Sequence, residues 1–147
     1  MLDFHRLINR FLTVQTAERN TSRMYVLCTE ITSSASMPLK DTGGCDLFSC
    51  EDIVLDPGAR RLINTGISFK FPDGYYGVIL ASSFLSLMKR IDVAPDVLNF
   101  DLRFEVSVLA ANNTDERVII KTGDKIARML VCKDVPFSLL NIDQTEQ

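Results

Sequence analysis

The sequence predicts an all-β domain with an N-terminal amphipathic helix, and three observations predict it. In the opening stretch Phe4, Leu7, Ile8, Phe11 and Leu12 recur at i, i+3, i+4, i+7 and i+8, one face of a helix. From residue 23 onward the period changes to two, in short runs rich in Val, Ile, Leu and Phe. Turn residues then punctuate the chain at short intervals.

In chain order, Asp3 caps the first helix and residues 13–22 read as a polar linker, which divides the chain into an extension (1–22) and a β-domain (23–147). The strand-like runs are MYVLC, DIVL, RRLINTGISFKF, YYGVIL, RFEVSVLAA, RVIIK and KIARMLVC. Between them lie Asp41-Thr42-Gly43-Gly44, Asp56-Pro57-Gly58, Pro72-Asp73-Gly74, Asn112-Asn113-Thr114-Asp115 and Thr122-Gly123-Asp124. Seven or more short strands at such spacing make a sandwich or small barrel. The run Phe84–Lys89 is the exception and reads as one or two helical turns.

The 147 residues carry 16 basic and 19 acidic side chains, a net charge of −3. A mildly acidic chain does not bind nucleic acid by counterion release and does not coat an acidic membrane. No apolar run is long enough to span a bilayer, and the opening residues lack a signal-peptide pattern, so an intracellular location, cytoplasmic or nuclear, is expected. Four cysteines without a C-x-x-C pair read as reduced thiols rather than zinc ligands. The one histidine, His5, lies on the helical extension, away from any partner for nucleophilic catalysis. No phosphate loop and no G-x-G-x-x-G occurs, and Arg60-Arg61 and Lys89-Arg90 read as solvated surface charges. The residues alone define an all-β, oligomeric domain.

The order of its segments carries more. Gly43-Gly44-Cys45-Asp46-Leu47-Phe48-Ser49, Leu55-Asp56-Pro57-Gly58 and Ile63-Asn64-Thr65-Gly66-Ile67 are followed by Phe71-Pro72-Asp73-Gly74-Tyr75-Tyr76-Gly77, Ile91-Asp92-Val93 and Gly123-Asp124-Lys125-Ile126-Ala127. This series resembles the dUTPase family over residues 23 to 146. The resemblance implies a jelly-roll β-barrel, a homotrimer with sites between subunits, and hydrolysis of dUTP to dUMP and pyrophosphate with magnesium.

Motif by motif, the resemblance puts roles on particular positions. Asp46 takes the place of the aspartate that holds waters of the magnesium shell. Where the family has Arg-Ser-Gly, this chain has Ser82-Ser83-Phe84, keeping only Ser83. Asn99 replaces the aspartate that deprotonates the attacking water, Leu102 the tyrosine beside deoxyribose, and Phe104 a glycine. Asp101 is kept, and Arg128 stands for the usual glutamine. The glycine-rich arm of the fifth motif has no counterpart through Gln147.

An amide cannot take the water's proton, and a general base contributes about 10²–10⁴-fold; a phosphate clamp contributes about 10³–10⁵-fold in comparable systems. These losses predict a degenerate, inactive member: a non-enzymatic interaction or regulatory module, compatible with a viral source, trimeric, with no catalytic residue and with Ser82, Asn99 and Leu102 as degenerate positions. Phe84, Leu102 and Phe104 are expected to fill the former pocket. Phe4, Leu7, Ile8, Phe11 and Leu12 are the expected surface for a host or regulatory protein. The alternatives are an active dUTP diphosphatase with a rearranged site at Asp46, Asp101 and Arg128, and a nucleotide sensor using Asp46, Ser83 and Arg128. Magnesium, water-mediated at Asp46, is expected only where nucleotide binds, and no other cofactor is.

Overall fold

A computed structural model of the chain describes residues 25–99 and 104–142. The expected helix and its apolar positions Phe4, Leu7, Ile8, Phe11 and Leu12 lie outside these residues, as do Asp101 and Leu102.

The described residues are mostly strands with one short helix, as the all-β reading expects. In order these are β1 (Leu27–Glu30), β2 (Leu39–Asp41), β3 (Gly44–Phe48), β4 (Ile53–Leu55), β5 (Arg60–Asn64), β6 (Ile67–Lys70) and β7 (Tyr75–Ala81). The helix α1 (Ser83–Met88) follows, then β8 (Ile91–Val93), β9 (Asp96–Leu98), β10 (Ser107–Asn112), β11 (Val118–Ile120) and β12 (Lys125–Lys133). The largest sheet runs β2-β3-β12-β7-β9; smaller ones are β5-β10-β8, β1-β6 and β4-β11. All pairings are antiparallel, and the sheets do not close into one hydrogen-bonded barrel among the described residues.

Alternation places the core. In β7, β10 and β12, Ile79, Val108, Ala110, Ile126 and Met129 point inward, against Leu47, Leu55, Ile63, Ile67, Ile91 and Leu98. Each such aliphatic side chain contributes about 1.5–3 kcal/mol by leaving water. The run RRLINTGISFKF, expected as one strand, is two: Gly66 at φ 67° breaks it, and the chain turns into β6 to pair with β1. Buried Thr65 stabilises the break, its hydroxyl donating to the Val106 carbonyl at 2.7 Å. The short strands β2, β8 and β9 carry too few residues to show a period.

Helix α1 is where the sequence put it. Ser82 caps its start, its hydroxyl accepting from the Leu85 amide at 3.2 Å, and Leu85 alone in the helix is buried. No described helix is long and apolar enough to cross a membrane.

Candidate functional site

The outer face of the five-stranded sheet carries the charged residues. Across the register Leu39, Asp46, Arg128 and Leu80 form one row from β2 to β7. Lys125 and Arg128 are an odd number of residues apart, so a regular strand would send them to opposite faces. The ladder shifts between Lys125, opposite Phe48, and Ala127, opposite Leu47. This β-bulge turns Ile126 and Ala127 both inward and brings Lys125 and Arg128 to the same side of Asp46.

Asp46, only 7% exposed, lies between the two cations. Its Oδ2 is 2.8 Å from Lys125 Nζ and its Oδ1 3.7 Å from an Arg128 nitrogen. Arg128 also meets Asp41 Oδ2 at 3.2 Å and donates to the Thr42 carbonyl in the β2–β3 turn. Two carboxylates and two cations leave the cluster neutral. The Thr42 amide, and then the Arg128 guanidinium, hold the Asp41 carboxyl below the usual carboxylate range. Next to Asp46, burial pushes the Cys45 thiol up to about 11.

A second feature lies toward the other end of that face. Asn99 leaves β9 just past Leu98 and lines a cleft of about 260 Å3 with Gly74, Tyr75, Tyr76, Val97 and Asp134. Tyr76 pairs with Cys132 on β12, four residues from Arg128. At about 3.4 Å per residue the two features are about 13 Å apart along the strand.

The structure thus brings Asp46 and Arg128 into contact and sets Ser83, exposed at the start of α1, just beyond Ala81, which pairs with Ala127. Ser82 is a buried helix cap. The pocket-filling expectation is corrected at its two described positions: Phe84 is 43% exposed, because Leu85 is the helix residue aimed at the core, and Phe104 is 56% exposed. Lys89 is not simply solvated either, since its Nζ donates to the Ile119 carbonyl at 2.9 Å and meets Asp124 at 3.4 Å. Sequence reasoning missed Lys125, Asp41 and Asp134; for Lys125, the consecutive apolar pair Ile126-Ala127 beside it is the one local sign of a bulge.

The fold and the cluster define a class, an antiparallel β-domain with a charged site on the outer face of its largest sheet. The family model for dUTPase matches residues 35–147, and the chain belongs to that family. The deoxyuridine 5'-triphosphate nucleotidohydrolase of Paramecium bursaria Chlorella virus 1 is 35% identical over 109 residues, covering 72% of this chain and 77% of that one. The Mus musculus enzyme is 31% identical over 129 residues, 88% of this chain and 79% of that one. That of Avian adenovirus 8 is 42% identical over 88 residues, 60% and 54% respectively. Among solved structures, the dUTPase of phage phi11 of S. aureus superposes with a TM-score of 0.74 at 18% identity, covering 83% of this chain and 98% of that one, a likeness of fold. These relatives overturn the expected non-enzymatic module and the reading of the chain as a non-enzyme: proteins this similar over most of the chain are named as nucleotidohydrolases.

Proposed function

We propose that this protein hydrolyses dUTP to dUMP and pyrophosphate. The observation that carries the reading is the family match across residues 35–147, which takes in Asp46, Ser83, Asn99 and Arg128 together. In this reading Arg128 supplies positive charge to the polyphosphate in place of the arginine missing at Ser82, and the Ser83 hydroxyl donates to a phosphate oxygen. Asp46 keeps Lys125 and Arg128 on one side of the sheet, and Asn99 orients the attacking water.

The residues present do not fit a magnesium ion held by the protein alone. Both Asp46 oxygens already face a cation, and no group of three or more His, Cys, Asp or Glu side chains gathers among the described residues. Magnesium would therefore enter with the polyphosphate of the substrate rather than on the protein.

A homotrimer belongs to the same reading. The segment after β12 exposes Val135, Phe137, Leu139, Leu140 and Ile142, between 67% and 90% each, which is apolar surface in need of a neighbour. Four free cysteines suit a reducing cytoplasmic or nuclear setting.

Pyrophosphate release from dUTP, measured beside dTTP, dCTP and UTP with magnesium in the buffer, tests the proposal. Turnover of dUTP at least about 100-fold above the other nucleotides, the discrimination a pocket achieves against one added methyl or hydroxyl, supports it. No release from any of them removes it.

A further inference from the structure

We propose that Asp134 is the general base of the reaction, the role Asn99 has given up. The inference rests on the dUTP-hydrolysis reading above. An amide at position 99 orients a water through its carbonyl oxygen but cannot accept its proton, so an active enzyme must draw a base from elsewhere. The cleft that Asn99 lines holds three ionisable side chains among the described residues, Tyr75, Tyr76 and Asp134. Of these, only the carboxyl of Asp134 belongs to the class of side chain that serves as a general base toward water.

Register gives the geometry. Leu98 pairs with Gly77, so Asn99 stands beside Tyr76 on one flank of β7. Lys133 pairs with Tyr75 on the other flank, so Asp134 stands beside Gly74, and its amide donates to the Gly74 carbonyl at 2.8 Å. Tyr76 and Gly74 are two residues apart, so Asn99 and Asp134 share a face with the Tyr76 ring between them. Two strand spacings across and two residues along place their Cα atoms about 12 Å apart. Both residues line the same cleft of about 260 Å3, which has room for a water that meets both.

In the step, the water oxygen forms a bond to the α-phosphorus while its proton passes to the Asp134 carboxylate. The bond from that phosphorus to the bridging oxygen breaks, and pyrophosphate leaves with the electron pair. Asp134 then returns the proton to solvent, and water and dUTP have become dUMP and pyrophosphate.

The test compares the full chain with D134N, D134E, N99D and the N99D/D134N pair by steady-state pyrophosphate release, with thermal melting alongside. Expected for D134N is a fall in kcat of about 10²–10⁴-fold, the value of a general base, with KM within about threefold. D134E, which keeps a carboxylate, is expected to retain at least about a tenth of kcat, and N99D to restore D134N by at least about tenfold. A D134N enzyme with kcat within about threefold of the parent overturns the assignment while leaving the hydrolase reading in place. A parent chain that releases no pyrophosphate removes both. Should D134N melt much lower than the parent, D134E and N99D carry the comparison; a D134E enzyme as impaired as D134N, with N99D giving no rescue, counts against Asp134 as base.

Discussion

Replacing Arg128 by glutamine, the residue usual at this place in the family, separates phosphate charge from everything else on the face. R128Q deletes a guanidinium that is 27% exposed on its side chain and touches Asp41, Asp46 and the Thr42 carbonyl. At about 4 Å from a phosphate, one positive charge is worth about 1 kcal/mol in water and about 4 kcal/mol at the effective dielectric of a protein surface. Arg128 sits between these limits, and Asp41 and Asp46 draw off part of its field, so about 2 kcal/mol is expected. That is a rise in KM for dUTP of roughly 30-fold, steepest at low ionic strength, with kcat changed far less. Stability should fall modestly, because the exposed Asp41 pair adds little while the nearly buried Asp46 loses its second cation and keeps Lys125. The assay is steady-state pyrophosphate release at two salt concentrations. A KM within twofold of the parent at both would refute the placing of polyphosphate beside Arg128.

Other expectations follow from burial and hydrogen bonding. Asn112 is fully buried; its amide donates to the Leu55 and Glu116 carbonyls at 2.9 and 2.7 Å, and its oxygen accepts from the Thr114 amide and hydroxyl. N112A should cost about 3–5 kcal/mol and lower Tm by about 10 °C or more in calorimetry. G66A forces a left-handed φ of 67° on alanine and drives its Cβ to 2.7 Å from Ala35 Cβ and Thr32 Oγ1, so about 3 kcal/mol should be lost in urea unfolding. Because Cys45 is raised from 9.0 to about 11 in the fold, its contribution is complete below pH 9 and disappears as pH climbs toward 11, and C45A should flatten that part of the stability profile. A chain ended after Lys133 should run as monomer or aggregate in light scattering, and a stable trimer would exclude exchange of the 134–142 segment between subunits.

The strand content was legible because short apolar runs are bounded by turn residues, and period two shows clearly in the longer strands β7 and β10. It failed at Thr65-Gly66, where an unbroken β-branched and aliphatic run conceals a glycine corner, and at three-residue strands such as β9. Of the site, the positions of Asp46, Ser83, Asn99 and Arg128 were legible through resemblance. What they touch was not. The Asp46–Arg128 pair depends on long-range register, and Lys125 joins it only because a bulge reverses the parity that its sequence spacing implies. The substitution of glycines by Phe84 and Phe104 suggested a plugged pocket, since sequence carries no record of which way a bulky residue leans. Counting lost catalytic groups led to a non-enzyme because the tally took each role to be tied to one position.

Strand β12 lies at the centre of the largest sheet, paired with β3 on one side and β7 on the other. It is also the last of the sheet's strands to be synthesised. At about 5–20 residues per second, β3 waits roughly 4–15 seconds on the ribosome before its neighbour begins to be made. Through that interval β3, and β7 once it is made, each show an unpaired edge, and the sheet has no middle. Folding of this sheet therefore hinges on the insertion of β12, and holding chaperones rather than a faster start should govern how much of it reaches its native form.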